Sequence, residues 1–133
     1  MTFLLHGKKF SKEVGDEIIK FINSAKSENI DIIYTKTFYQ LLKKRLIKDN
    51  NHLIKTISSL SKGSPKIDYL VCFGGDGTIL NAATIVKQTG IPIVGINTGR
   101  LGFLATISKY ELSTLIEKLK KKEYSLSRRA LLE

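Results

Sequence analysis

The chain predicts an α/β fold, a Rossmann-like parallel sheet flanked by helices. Two observations carry this. Short apolar runs that read as buried strands alternate with segments of helical spacing from Thr2 to Lys122. Two glycine-rich stretches, Gly74–Gly77 and Asn97–Ala105, follow two of those runs, where ligands bind in parallel sheets.

"TFLLHG", Thr2 to Gly7, reads as the first strand. Val14, Ile18, Ile19, Phe21, Ile22 and Ala25 then have helical spacing, with Ser11 as N-cap and Glu13 in the first turn. "IDIIYT", Ile30 to Thr35, is the second strand. Phe38 to Lys48 and Leu53 to Leu60 read as helices, and "SKGSP" breaks the pattern. "IDYLVCF", Ile67 to Phe73, is the next strand and runs into the glycines. Thr78 to Gln88 reads as a helix with Gly90 as its C-cap residue, and Ile91 to Ile96 as a strand. Tyr110 to Lys122 closes the series as a helix, and "YSLSRRALLE" begins a strand-like segment that stops. That unfinished ending suggests a piece of a longer polypeptide.

Lys and Arg outnumber Asp and Glu by 22 to 12, a net charge of +10. The basic residues are scattered, with the densest groups at Lys43–Lys48 and Lys118–Lys122. They read as solvated helix faces, or as a positive surface that attracts polyanions such as nucleotides. No recognition-helix or aromatic RNA-binding pattern points to nucleic acid. No apolar run approaches the ~20 residues of a membrane span. "MTFLLHGKKF" has no basic region ahead of a long apolar stretch, so no signal peptide is read. Cys72, the single cysteine, reads as inert packing, and a reducing, cytoplasmic location fits. His6 and His52 are isolated and read as packing or solvated residues rather than metal ligands.

"VCFGGDGTILNAA" holds the chemistry. It is not a Walker A loop, because no Gly-Lys-Ser/Thr follows, and not the Rossmann fingerprint, because Leu80 stands where the third glycine belongs. Glycines ahead of a helix still present backbone N–H groups to a phosphate. Thr78 is suited to cap the helix or to give its hydroxyl to a phosphate oxygen. Asp76 has the wrong sign for a phosphate pocket. Its carboxylate suits a cation or a proton. It could hold Mg²⁺ on the phosphates, or act as general base to an attacking hydroxyl. The plainer alternative is that Asp76 caps the helix and the glycines make a tight turn.

"GGDGT" at Gly74–Thr78, with "GIPIVGINTGRLGFLA" at Gly90–Ala105, resembles the NAD kinase family. "SLSRRALLE" is similar to the entry into that family's second domain. "GGDGT" alone is shared with diacylglycerol and sphingosine kinases and, more distantly, phosphofructokinases; "NTGRLGF" is the discriminating part. The resemblance implies transfer of the ATP γ-phosphoryl group to the adenosine-ribose 2′-hydroxyl of NAD, giving NADP, with a divalent cation and with polyphosphate as another conceivable donor. It makes Asp76 the proton acceptor and, with Gly77, an NAD contact. Gly74, Gly75, Gly77 and Thr78 would lie against phosphates and Phe103 on the adenine, with Asn81 as a weaker NAD contact. Arg100, Lys8 and Lys9 are further phosphate candidates. The resemblance also implies a domain over residues 1–124 and the start of a mostly β second domain over 125–133. That second domain carries other NAD contacts and much of an oligomer interface. The 133-residue chain alone is therefore expected to be inactive. The rival readings are a lipid kinase domain and a dinucleotide-binding module without turnover.

Overall fold

The computed structural model describes residues 1–46, 55–60, 64–87, 89–98, 107–108 and 112–122. They form strands β1 (Thr2–Gly7), β2 (Asp31–Thr35), β3 (Lys55–Ile57), β4 (Tyr69–Gly74), β5 (Ile93–Asn97) and β6 (Ile107–Ser108). The helices are α1 (Lys12–Ser27), α2 (Lys36–Leu46), α3 (Asp76–Val86) and α4 (Leu112–Lys121). All strand pairs are parallel, in the order β3-β2-β1-β4-β5-β6. The predicted α/β class and Rossmann-like parallel sheet are therefore present.

Both faces of the central strands are covered, which is why they are mostly apolar. Phe3 and Leu5 of β1 and Tyr69, Val71 and Phe73 of β4 pack with α1, α2 and α4. Leu4, Leu70 and Cys72 face the other way, onto Ala82 and Val86 of α3. Alternate residues of one strand thus serve opposite layers. On the α1 side Phe73 stacks on Phe38 at 5.8 Å and meets Phe21 edge-on at 5.9 Å. These rings fix the end of β4, the root of the glycine loop.

Helix α1 begins as its sequence foretells, with the Val14 N–H donating to Ser11 Oγ at 3.2 Å. It ends at Ser27 with Glu28 as C-cap, and Asn29 beyond it has a φ of 61°, a left-handed conformation that asparagine tolerates better than most residues. Arg45 bonds Asp16 at 2.7 Å and ties α2 to α1.

Several sequence expectations are corrected. The helix expected over Leu53–Leu60 gives way, in its described part, to β3. Thr56 and Ile57 are β-branched, and the open edge of β2 offers them Tyr34 and Thr35 as partners. β6, two residues long and paired to Ile96 and Asn97, has no counterpart among the sequence expectations. Helix α3 starts at Asp76, so neither Asp76 nor Thr78 is its cap; the N-cap is Gly75. It ends at Val86 with Lys87 as C-cap, not at Gly90, whose φ of +78° lies in the connection to β5. The segment 123–133 lies outside the described residues.

Candidate functional site

The chain leaves β1 toward β2 and leaves β4 toward β5, in opposite directions across the sheet. Between β1 and β4 the strand order reverses, which opens a crevice at their carboxyl ends. Gly7 and Lys8 stand on one side of it and Gly74 to Gly77 on the other. The Lys8 N–H donates to Phe73 O at 3.3 Å and holds the two strand ends together.

Each residue of the loop has its own surroundings. A Cβ on Gly74 would stand 2.7 Å from Thr78 Cβ, so glycine is needed for α3 to pack against the strand end. Gly75 is extended (φ −119°, ψ −161°), and nothing lies within 4 Å of the point its Cβ would occupy. A Cβ on Gly77 would stand 3.0 Å from Lys8 Nζ, so the ammonium reaches across the crevice to the first turn of α3. Gly90 is the described glycine with a positive φ. Of the loop glycines Gly74 serves a close approach, and none of Gly74, Gly75 and Gly77 has a left-handed backbone.

Both Thr78 N and Ile79 N donate to Gly75 O at 3.1 Å, closing the first turn. The N–H groups of Asp76 and Gly77 belong to the set that has no acceptor inside a helix, and the helix dipole adds positive potential there. Asp76 is the first residue of the helix, at the mouth of the crevice. The side chain of Thr78 is 0% exposed. Its hydroxyl faces Gly74 and finds no hydrogen-bond partner among the described residues. On the far side of β4, Asn97 is in register with Gly74, and the Thr98 N–H donates to Gly74 O at 3.4 Å.

One turn after Gly77, Asn81 lies on the same side of α3. His6, the penultimate residue of β1, is buried at 5% exposure and spans two partners. Its Nε2 is 2.7 Å from Asn81 Oδ1, and its Nδ1 is 2.8 Å from Thr35 Oγ1. With the amide oxygen on that side, Nε2 carries the hydrogen and Nδ1 accepts from the threonine hydroxyl. Burial holds the imidazole below its ordinary value, against a smaller upward pull from Asn81. Across the strand pair Cys72 is in register with His6; it is fully buried, and its thiol is pushed up to about 12, which makes it unreactive.

The structure thus brings Gly74, Gly75, Asp76, Gly77, Thr78 and Asn81 onto one strand end and the two following helix turns, with Lys8 opposite. Lys9 is exposed beside it. Phe103 and Arg100 lie outside the described residues. Sequence reading does not find His6 and Thr35 as part of this constellation. The signal is slight: one polar side chain per strand, in the last two positions, on the face that α3 covers.

A doubly wound parallel sheet with a glycine–acid turn at its reversal point defines an α/β domain of the dinucleotide-binding topology. The family profile described as "ATP-NAD kinase N-terminal domain" matches residues 6–124, and the chain belongs to that family. The family match selects among the kinase groups that share "GGDGT" in favour of the NAD kinases. The chain is 35% identical over 134 residues to the NAD kinase of Christiangramia forsetii and 38% identical over 136 residues to that of Flavobacterium johnsoniae. In both cases 99% of this chain is covered and 44% of the relative, so the chain spans less than half of either protein. A crystal structure of yeast NADH kinase complexed with NADH shares the fold, with a TM-score of 0.66 at 20% identity over 90% of this chain and 35% of that one. An NAD kinase from Archaeoglobus fulgidus in complex with ATP does so with a TM-score of 0.58 at 22% identity, over 92% of this chain and 38% of that one.

Proposed function

We propose that this chain is the N-terminal domain of an enzyme that transfers the γ-phosphoryl group of ATP to the 2′-hydroxyl of the adenosine ribose of NAD. The observation that carries the reading is the place of Gly74–Thr78, at the β1–β4 reversal of a chain in this family. The 2′ oxygen attacks the γ phosphorus, and its proton passes to the Asp76 carboxylate. The bond from that phosphorus to the β–γ bridging oxygen breaks, and ADP leaves. The open space over Gly75 and the N–H groups of Asp76 and Gly77 receive phosphate oxygens, and Lys8 adds a positive charge across the crevice. The Thr78 hydroxyl has no partner among the described residues but is buried, so a phosphate on this turn would meet it only after the turn opens. Phe103 would lie on the adenine.

Asp76 is the only acid in Gly74–Thr78. Among the described residues no group of three His, Cys, Asp or Glu side chains is placed to hold a metal. A Mg²⁺ ion carried in on the triphosphate would neutralise phosphate charge at this turn and leave the Asp76 carboxylate to take the proton. Residues 1–124 form the nucleotide-binding domain in this reading, and 125–133 enter a second domain that completes the cleft and supports oligomers. A cytoplasmic setting accords with the free Cys72; no helix among the described residues is long and apolar enough to cross a membrane.

The test is to incubate the complete protein with ATP, Mg²⁺ and NAD and to follow NADP. Formation of NADP is the expected result. Binding of NAD without turnover would replace this reading with a dinucleotide-binding module. Phosphorylation of diacylglycerol or sphingosine in place of NAD would make it a lipid kinase.

A further inference from the structure

The proton transfer to Asp76 leaves one group of the crevice unused. The Thr35–His6–Asn81 chain crosses three elements, β2, β1 and α3, through hydrogen bonds of 2.8 and 2.7 Å. His6 and Thr35 are buried, whereas Asn81 is exposed. A solvated asparagine amide can rotate by half a turn and exchange its oxygen and nitrogen at little cost. Here the oxygen is taken by the buried His6 ring. The amide nitrogen is thereby turned away from His6, on an exposed residue one turn below Gly77, and has no partner among the described residues.

We infer that His6 is a positioning residue: by occupying Asn81 Oδ1 it fixes the Asn81 NH₂ as a hydrogen-bond donor toward an oxygen of the dinucleotide held in the β1–β4 crevice. Thr35 completes the device. Its hydroxyl, able to donate or accept, pairs with Nδ1, while the Asn81 oxygen on the other side holds the hydrogen on Nε2. The imidazole stays neutral near pH 7 because burial disfavours its charged form. Three residues, none of which performs chemistry, thus present one donor of fixed sense. This inference rests on the crevice being the NAD site.

Calorimetric titration of NAD into the complete protein, with Tm measured in parallel, tests it. Asn81→Asp keeps the acceptor for His6 and removes the donor. It should hold Tm near the wild-type value and weaken NAD binding at least tenfold. His6→Phe removes the bond while filling the space. It should raise the Kd roughly three- to tenfold, as loss of one hydrogen bond does, with kcat changed less than twofold. His6→Gln, which can still donate to Asn81, should recover part of the affinity. In an Asn81→Leu background His6→Phe should add nothing further to Kd, whatever it does to Tm. Additive effects on Kd, or an unchanged Kd in His6→Phe or Asn81→Asp, would overturn the inference. If His6→Phe fails to fold, ¹⁵N shifts of the wild-type ring decide, and a hydrogen on Nδ1 at pH 7 overturns it. A wild type that binds NAD without phosphorylating it would sink the kinase reading and leave this cycle intact. A wild type that does not bind NAD would sink both.

Discussion

Thr78 Cβ lies 2.7 Å from the place where a Cβ on Gly74 would stand. The last residue of β4 and the third of α3 are in close contact, and this contact sets how steeply the helix rises from the sheet. Gly74→Ala must therefore push α3 outward or displace Thr78, which is fully buried. Overpacking of this kind costs about 1–3 kcal/mol. The variant should unfold at clearly lower denaturant in a urea titration, with or without nucleotide.

Thr78→Val tests the same contact from the other side. The hydroxyl is fully buried and has no partner among the described residues. An unsatisfied buried polar group costs about 1–3 kcal/mol, so an isosteric methyl should stabilise the nucleotide-free protein. If the hydroxyl meets a phosphate in the complex, the KM for ATP should rise in the same variant. Greater stability with unchanged KM would remove Thr78 from the phosphate site.

Gly77→Ala should separate stability from binding. The new methyl meets the end of the flexible Lys8 side chain, and alanine is the better helix former by roughly 1 kcal/mol. Stability should hold or rise. Nucleotide affinity should fall, because the methyl projects into the crevice at the helix N-terminus. Equal affinities of variant and wild type, measured by calorimetry, would mean that no ligand approaches the backbone there.

Asp76→Asn preserves shape and removes the proton acceptor. Loss of a general base typically costs on the order of 10²–10⁴ in rate. The complete protein should lose that factor in kcat with its circular dichroism unchanged. Turnover near the wild-type value would end the assignment.

His6 should leave a mark on the pH dependence of stability. Its imidazole is held below the ordinary value of 6.5 in the folded domain, chiefly by burial. The unfolded chain takes up a proton near 6.5 and the folded domain only at lower pH, so between those points the unfolded state binds more protons. Stability then rises with pH through this window and is lost as pH falls below 6.5 toward the folded value. Urea midpoints at pH 7.5 and 5.5 should differ more in the wild type than in His6→Phe. An equal difference would show that His6 protonates as readily folded as unfolded.

The strands are legible in the sequence because burial on both faces makes them short apolar runs, and α1 because Ser11 and its apolar stripe mark it locally. The Gly74–Thr78 turn is legible because its composition is costly without a purpose. β3 is not, because Lys55–Ile57 sits at an edge and takes its conformation from Ile33–Thr35 rather than from its own residues. The His6–Asn81 bond joins residues 75 positions apart, and only the β1–β4 adjacency brings them together. No local pattern carries such a pair. Thr78 misleads for a related reason: its residue type suits a cap, but Gly75 already fills that position.

The central pairing of the sheet, β1 against β4, joins Phe3 to Tyr69 and Gly7 to Phe73. During synthesis the first strand leaves the ribosome long before its second neighbour exists. β1, α1 and β2 can associate early, but the apolar edge of β1 stays open until β4 has emerged. Pairings of such sequence separation are slow to form, and an exposed edge invites wrong partners meanwhile. Assembly of the crevice therefore waits for β4, and variants that weaken the β1–β4 seam should show first as lower soluble yield in cells.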